Sequence, residues 1–221
     1  MTPMLPKALY QTVLSEEFRS DPRALIKVKL WICDVLSGLD HLHLSGLCHC
    51  DLKSGNILID EEERTILCDF SGLNYTNKPL DTVRSPEICR PPECFRPKSA
   101  KNLQRMPHDM YTFGLIVLNV LTGHWLQREL HRVTHGDWTW STHILPTIEK
   151  VMQKLNFEYL IKVFFPLANV SETDIQQALD FLQLLLMTQP EERLNIREIM
   201  NHPFLKNGIH LLKVSKKSDF V

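Results

Sequence analysis

A chain of 221 residues with 43% hydrophobic content can bury a substantial core as one compact unit, and a formal net charge of −1 excludes the broad basic field that nucleic acid requires. No run of eighteen or more apolar residues is available to span a bilayer, and Met1-Thr2-Pro3-Met4-Leu5-Pro6 has neither the basic flank nor the apolar stretch of a secretory signal. An intracellular protein, cytoplasmic or nuclear, is therefore expected, and its six cysteines, which form no paired C-x-x-C framework, are expected to be thiols.

In chain order, Asp21-Pro22 offers a side-chain acceptor and a proline suited to a first helical turn. Leu25, Val28, Ile32, Val35, Leu36, Leu39 and Leu42 then recur at helical spacing, which predicts a long packed helix ending near Gly46. Ile57 to Ile59 and Thr65 to Cys68 are short β-prone runs joined by the acidic turn Asp60-Glu61-Glu62-Glu63-Arg64, a hairpin pattern. From Ser71 to about Met106 the composition predicts a long functional loop with at most one short helix. Asp109 is read as the cap of a central helix running from Met110 to a stop at Gly123, apolar all round and hence buried.

Beyond it, Trp125, Trp138 and Trp140 with His124, His131 and His135 are read as packing and polar surface in a loop-rich region. Pro146 to Phe165 reads as one or two helices, Ser171 to Asp174 as the start of another through Leu186, and Asn195 to Glu198 as a capping box before a last short helix. The fold class expected is mostly α with a small β-hairpin element. A polar tail, 207–221, follows the domain.

The stretch richest in chemistry is His49-Cys50-Asp51-Leu52-Lys53-Ser54-Gly55-Asn56, followed at the far end of the hairpin by Cys68-Asp69-Phe70-Ser71. It places two carboxylates, an amide and a compact cation in short order. Phosphoryl transfer needs such groups, because its loose transition state is stabilised by positioning and charge rather than by covalent help. His41, His43, Cys48, His49 and Cys50 crowd the same region, but their alternating spacing is a poor zinc pattern.

These two runs resemble the catalytic loop and the metal-binding motif of eukaryotic-type protein kinases. Five further segments are similar in the same order. Leu5 to Tyr10 looks like the segment after the hinge, and Leu42-His43 with Gly46 resembles the end of the helix leading to the catalytic loop. Pro91-Pro92-Glu93 resembles the close of the activation segment, and Asp109 to Gly114 resembles the start of the central helix. Leu186, Pro190, Arg193, Glu198, His202, Pro203 and Phe204 resemble the closing helical motif. The resemblance implies a kinase-like domain over 1–206: a hinge remnant at 5–10, a catalytic loop at 49–56, an activation segment at 69–93 and a central helix at 109–122. No glycine-rich phosphate loop or strand lysine has a counterpart, so the likeness is to the large lobe alone, without the small ATP-covering lobe.

By that resemblance Asp51 would orient the substrate hydroxyl and Lys53 would steady the transferring phosphate. Asn56 and Asp69 would ligate Mg²⁺, and these two with Leu58 would bind ATP. Lysine two residues after the aspartate is the serine/threonine pattern. Glu93 with Arg193 is expected as a buried pair, and Asp109 as acceptor for backbone donors of the catalytic loop. Three positions depart from the pattern: Cys50 replaces arginine, Ser71 replaces glycine or precedes a shifted Gly72, and Pro86 replaces a threonine for which Ser85 is the candidate substitute. Two functions follow as expectations. One is ATP-dependent phosphoryl transfer to protein hydroxyls once a small lobe is supplied; the other is a truncated pseudokinase that binds a partner kinase or its substrate, with association through the exposed interlobe surface.

Overall fold

The computed structural model describes residues 6–77, 85–95, 105–134, 143–166 and 168–206. The elements in chain order are β1 (Lys7–Ala8), α1 (Leu9–Leu14), α2 (Glu16–Arg19), α3 (Ala24–Leu44), β2 (Leu47–Cys48), β3 (Ile57–Ile59), β4 (Thr65–Leu67) and β5 (Asn74–Tyr75). After them come α4 (Arg105–Leu121), α5 (Trp125–Thr134), α6 (Leu145–Val151), α7 (Lys154–Phe164), α8 (Glu172–Leu185) and α9 (Ile196–Ile199). The architecture is mostly helical with two small sheets. None of the described helices is long and apolar enough to cross a membrane.

Helix α3 buries Leu25, Val28, Ile32, Val35, Leu36 and Leu39, the stripe its sequence spacing requires. The Asp21 carboxylate accepts from the Arg23 backbone N–H at 2.7 Å, so the capping turn lies just ahead of the helix and Pro22 stays outside it. Helix α4 is buried on every side from His108 to Leu121 and forms the axis against which α3 and α8 pack. It begins at Arg105, a turn earlier than the sequence implied. Asp109 is therefore inside the helix rather than its cap, which frees the carboxylate for a tertiary task. At its far end Gly123 adopts φ +62°, where a Cβ would lie 2.2 Å from the Phe164 ring; only glycine ends the helix there without a collision.

The hairpin forms as its sequence predicts, with Ile57 opposite Leu67, Leu58 opposite Ile66 and Ile59 opposite Thr65. Two features are additional. β1 pairs with β3, making three strands, and β2 pairs antiparallel with β5 through Leu47–Tyr75 and Cys48–Asn74. The second pairing closes the segment between them on itself, bringing the end of the hairpin back beside the catalytic loop. The Trp125 region also differs from expectation, because it opens helix α5; residues 138 and 140 lie outside the described residues, as do 207–221. The Ser171–Asp174 and Asn195–Glu198 capping boxes are both present.

Two buried ionic contacts lock the parts that carry the candidate site. Arg193 donates to both oxygens of Glu93 at 2.7 Å, and also to the carbonyls of Met187 and Pro107 at 2.8 and 2.9 Å. Its guanidinium stacks over Tyr111 at 4.8 Å, so one side chain joins the 92–95 turn, the start of α4 and the segment after α8. Asp109, fully buried, accepts from the His49 N–H at 2.8 Å and the Cys50 N–H at 2.9 Å, and its Oδ2 meets His43 Nε2 at 3.0 Å. Burial would push its pKa up, but the neighbouring His108 and His43 outweigh that and hold the carboxyl well below the usual range.

Glu93→Ala leaves a guanidinium buried without its partner, and we expect a loss of about 3–5 kcal/mol in urea unfolding. Asp109→Asn presents an amide N–H to one of two backbone donors and should lose about 1.5–3 kcal/mol per hydrogen bond broken. The folded-state pKa is lowered, so Asp109 stabilises the fold fully above the unfolded carboxyl pKa and loses that contribution as pH falls through the folded value. The stability gap between wild type and Asp109→Asn should then be constant down to about pH 4 and shrink below it.

Candidate active site

The catalytic loop leaves β2 through Cys50, whose φ of +58° is left-handed and uncommon for a residue with a side chain. Both backbone N–H groups entering this turn are held by Asp109, which offsets the conformational cost. The Cys50 side chain points inward, packed with Cys48 and Cys94, and burial pushes its thiol up to about 12. Cys50 is thus a neutral packing group.

Turning Cys50 inward directs Asp51 the other way. Asp51 Oδ2 accepts from Lys53 Nζ at 2.9 Å, and the Asn56 amide donates to the Asp51 carbonyl at 2.9 Å. Asp51 Oδ1 is buried and has no hydrogen-bond partner among the described residues. A carboxylate with one oxygen held and one unsatisfied is poised to accept a further hydrogen bond. The Lys53 ammonium lies 3.9 Å from Asp69 Oδ2 as well, and its hydrogen bond to Asp51 raises its pKa, so it remains cationic between the two acids.

Asp69 reaches this cluster because the Cys68 N–H donates to the Asn56 carbonyl at 2.9 Å, holding the two ends of the hairpin together. It is exposed, with φ +59°, and opens a tight turn over Phe70–Gly72. The Ser71 hydroxyl donates to Asp69 Oδ1 at 2.7 Å, and the Ser71 N–H lies 3.4 Å from the same oxygen. Those hydrogen bonds, followed by Lys53 and Asn56, hold the Asp69 carboxyl below its ordinary range. Ser71 itself is not in the left-handed region, so serine fits without backbone strain.

The glycine requirement lies one residue later. A Cβ on Gly72 would be 2.8 Å from Asp51 Cβ and 2.9 Å from the His49 carbonyl, too close to both. Gly72 thus allows the segment after Asp69 to lie directly on the catalytic loop, a role that sequence reading weighed only as a shift in register.

The structure brings together Asp51, Lys53, Asn56 and Asp69. Leu58 is not part of this polar cluster: it is half-buried in β3, opposite Ala8 and Ile66. Ser85 does not take the part suggested for it, since its buried hydroxyl makes no hydrogen bond among the described residues. Cys89, by contrast, lies close enough to Asp51 and Lys53 for their charges to act on its thiol, which burial pushes up to about 11.

Oxygen donors from Asn56 and Asp69 suit a hard divalent cation such as Mg²⁺, so the residues present fit the metal that the resemblance implies. His43, Cys48 and Asp109 also place ligand atoms within 4.8 Å of one another. The Asp109 oxygens there already accept three hydrogen bonds, and burial keeps the Cys48 thiol protonated, so this set serves packing. Sequence reading passed over Arg105, a fully buried cation at the start of α4; nothing in the local pattern distinguishes it from a surface arginine.

Comparison with known proteins agrees with this geometry. A serine/threonine-protein kinase of Schizosaccharomyces pombe is 30% identical over 195 residues, 86% of this chain and 26% of its own length. A mitogen-activated protein kinase kinase kinase of Arabidopsis thaliana is 25% identical over 179 residues, 78% of this chain and 41% of its own length. An inactive leucine-rich repeat receptor-like serine/threonine-protein kinase of the same plant is 27% identical over 172 residues, 76% of this chain and 24% of its own length. The chain thus spans less than half of each of these relatives. The family model for the protein kinase domain matches residues 4–205, and with the acidic cluster and the two buried ionic locks in place, this chain belongs to the protein kinase domain family.

Proposed function

We propose that the chain carries the phosphoryl-transfer side of a serine/threonine protein kinase that acts on protein hydroxyls with ATP. The observation that carries this reading is Asp51, one oxygen held by Lys53 and the other buried without a hydrogen-bond partner among the described residues. In this reading Asp51 accepts the hydrogen bond of a seryl or threonyl hydroxyl and orients its oxygen for attack. Lys53, anchored between Asp51 and Asp69, meets the charge on the moving phosphoryl group. Asn56 and Asp69 would hold Mg²⁺, which when bound supplies charge neutralisation at the phosphates of ATP. Lysine two residues after Asp51 favours serine and threonine over tyrosine as acceptors.

A second reading, a pseudokinase that binds a kinase or its substrate, has its own support. The Ser71 hydroxyl occupies one of the two Asp69 oxygens, and Ser85 leaves Asp51 without the support expected of it. Ile66, Phe70, Leu73 and Tyr75 are 47%, 48%, 37% and 54% exposed on the segments beside the cluster, apolar surface suited to association through the interlobe face.

Transfer of labelled phosphate from Mg-ATP to serine, threonine and tyrosine peptide pools, with a complementing kinase small lobe supplied, separates the two. The kinase reading expects labelling of serine and threonine that falls by about 100-fold or more in Asp51→Asn. Labelling no greater than that of the variant, with both proteins folded, overturns it in favour of the binding module.

A further inference from the structure

Arg105, the first residue of α4, is 2% exposed, yet Nε, Nη1 and Nη2 all lack a hydrogen-bond partner among the described residues. One turn along the same face, His108 is fully buried, and neither of its ring nitrogens makes a hydrogen bond among the described residues. Its Nδ1 is 3.9 Å from Asp109 Oδ1, a charge neighbour beyond hydrogen-bond reach. An isolated guanidinium is among the most costly groups to bury, so a chain that retains one there requires a counter-charge.

The candidates among the described residues are already engaged. Asp109 gives its oxygens to His49, Cys50 and His43, and Glu93 gives both of its oxygens to Arg193. The thiols of Cys48 and Cys50 are near enough to feel the Arg105 charge, but burial raises the pKa of each, so both stay neutral. What remains is a buried five-N–H fork with no acceptor among the described residues, beside an imidazole whose one charge neighbour is Asp109.

We propose that Arg105 and His108 form an anion site behind the catalytic loop, built for a phosphoryl group. A carboxylate brings two acceptor oxygens, whereas a phosphoryl group brings three and matches the guanidinium fork bidentately with one oxygen left for the imidazole. The site is independent of the reading of Asp51, because binding can be measured without activity. It lies beside Cys50, one residue from Asp51, and the macrodipole of α4 adds to its positive potential. Bonds formed at such depth lie away from water, where charge-assisted contacts are strongest.

The test is the thermal midpoint of the whole chain, titrated with sodium phosphate against sodium chloride at matched ionic strength, for wild type, Arg105→Met and Arg105→Lys. Phosphate should raise the wild-type midpoint saturably, leave Arg105→Met unmoved, and bind Arg105→Lys about tenfold more weakly, since lysine keeps the charge but loses the fork. Without phosphate, Arg105→Met should unfold at or above the wild-type midpoint. A phosphothreonine peptide tested beside its unphosphorylated form identifies the source: saturation far below the phosphate concentration means a phosphorylated segment, and equal potency means the free ion. No phosphate response in wild type overturns the proposal, as does an equal response in Arg105→Met. Should Arg105→Met fail to fold, equal phosphate affinity in Arg105→Lys overturns it.

Discussion

The Asp109 carboxylate is the constraint on which the candidate site rests. It is a charge placed in the middle of the most buried helix and satisfied by two backbone N–H groups of a loop about sixty residues earlier in the chain. Backbone donors in a turn that includes a left-handed residue have few alternative partners, so the carboxylate selects one path for the loop. That path sends the Cys50 side chain into the core and leaves Asp51 aimed at Lys53. The helix and the chemistry are thereby coupled: α4 cannot shift without carrying the loop with it.

Around Asp51 the electrostatics are balanced by a small number of contacts. Lys53 stands between two carboxylates, Asn56 ties the loop to the hairpin, and Gly72 lets the following turn lie against the loop at van der Waals distance. Ser71 adds a bond that sequence patterns do not reveal, a hydroxyl clamped to one oxygen of the Asp69 carboxylate. The clamp fixes the Asp69 rotamer and also competes for its lone pairs. These effects oppose each other in metal affinity, which is why one serine supports both readings of the function.

Arg105 and Glu93 illustrate two outcomes for buried charge. Glu93 meets a guanidinium that is also satisfied by two carbonyls and an aromatic face, so the pair is fully solvated by protein. Arg105 lies in the same half of the molecule with none of those partners among the described residues. The contrast makes Arg105 stand out as a group awaiting an anion, because the fold demonstrably satisfies an arginine where satisfaction is structural.

Much of the architecture was legible in local pattern. The α3 stripe, the β3–β4 hairpin and the capping boxes at Ser171 and Asn195 depend on patterns within a few residues, where spacing and side-chain type decide the outcome. The start of α4, the helical nature of the segment from Trp125 and the β2–β5 pairing were not legible. Each depends on packing against distant chain, which overrides local preference. The sequence by itself determined which groups are available: Asp51, Lys53, Asn56 and Asp69, with Glu93, Arg193 and Asp109 to lock them. Only the tertiary structure decided that Ser71 clamps Asp69, that Leu58 stands apart from the polar cluster, and that the Ser85 hydroxyl and the buried Arg105 guanidinium find no hydrogen-bond partner among the described residues. Hydrogen bonds and desolvation depend on distances between segments far apart in the chain, and no linear pattern encodes those distances.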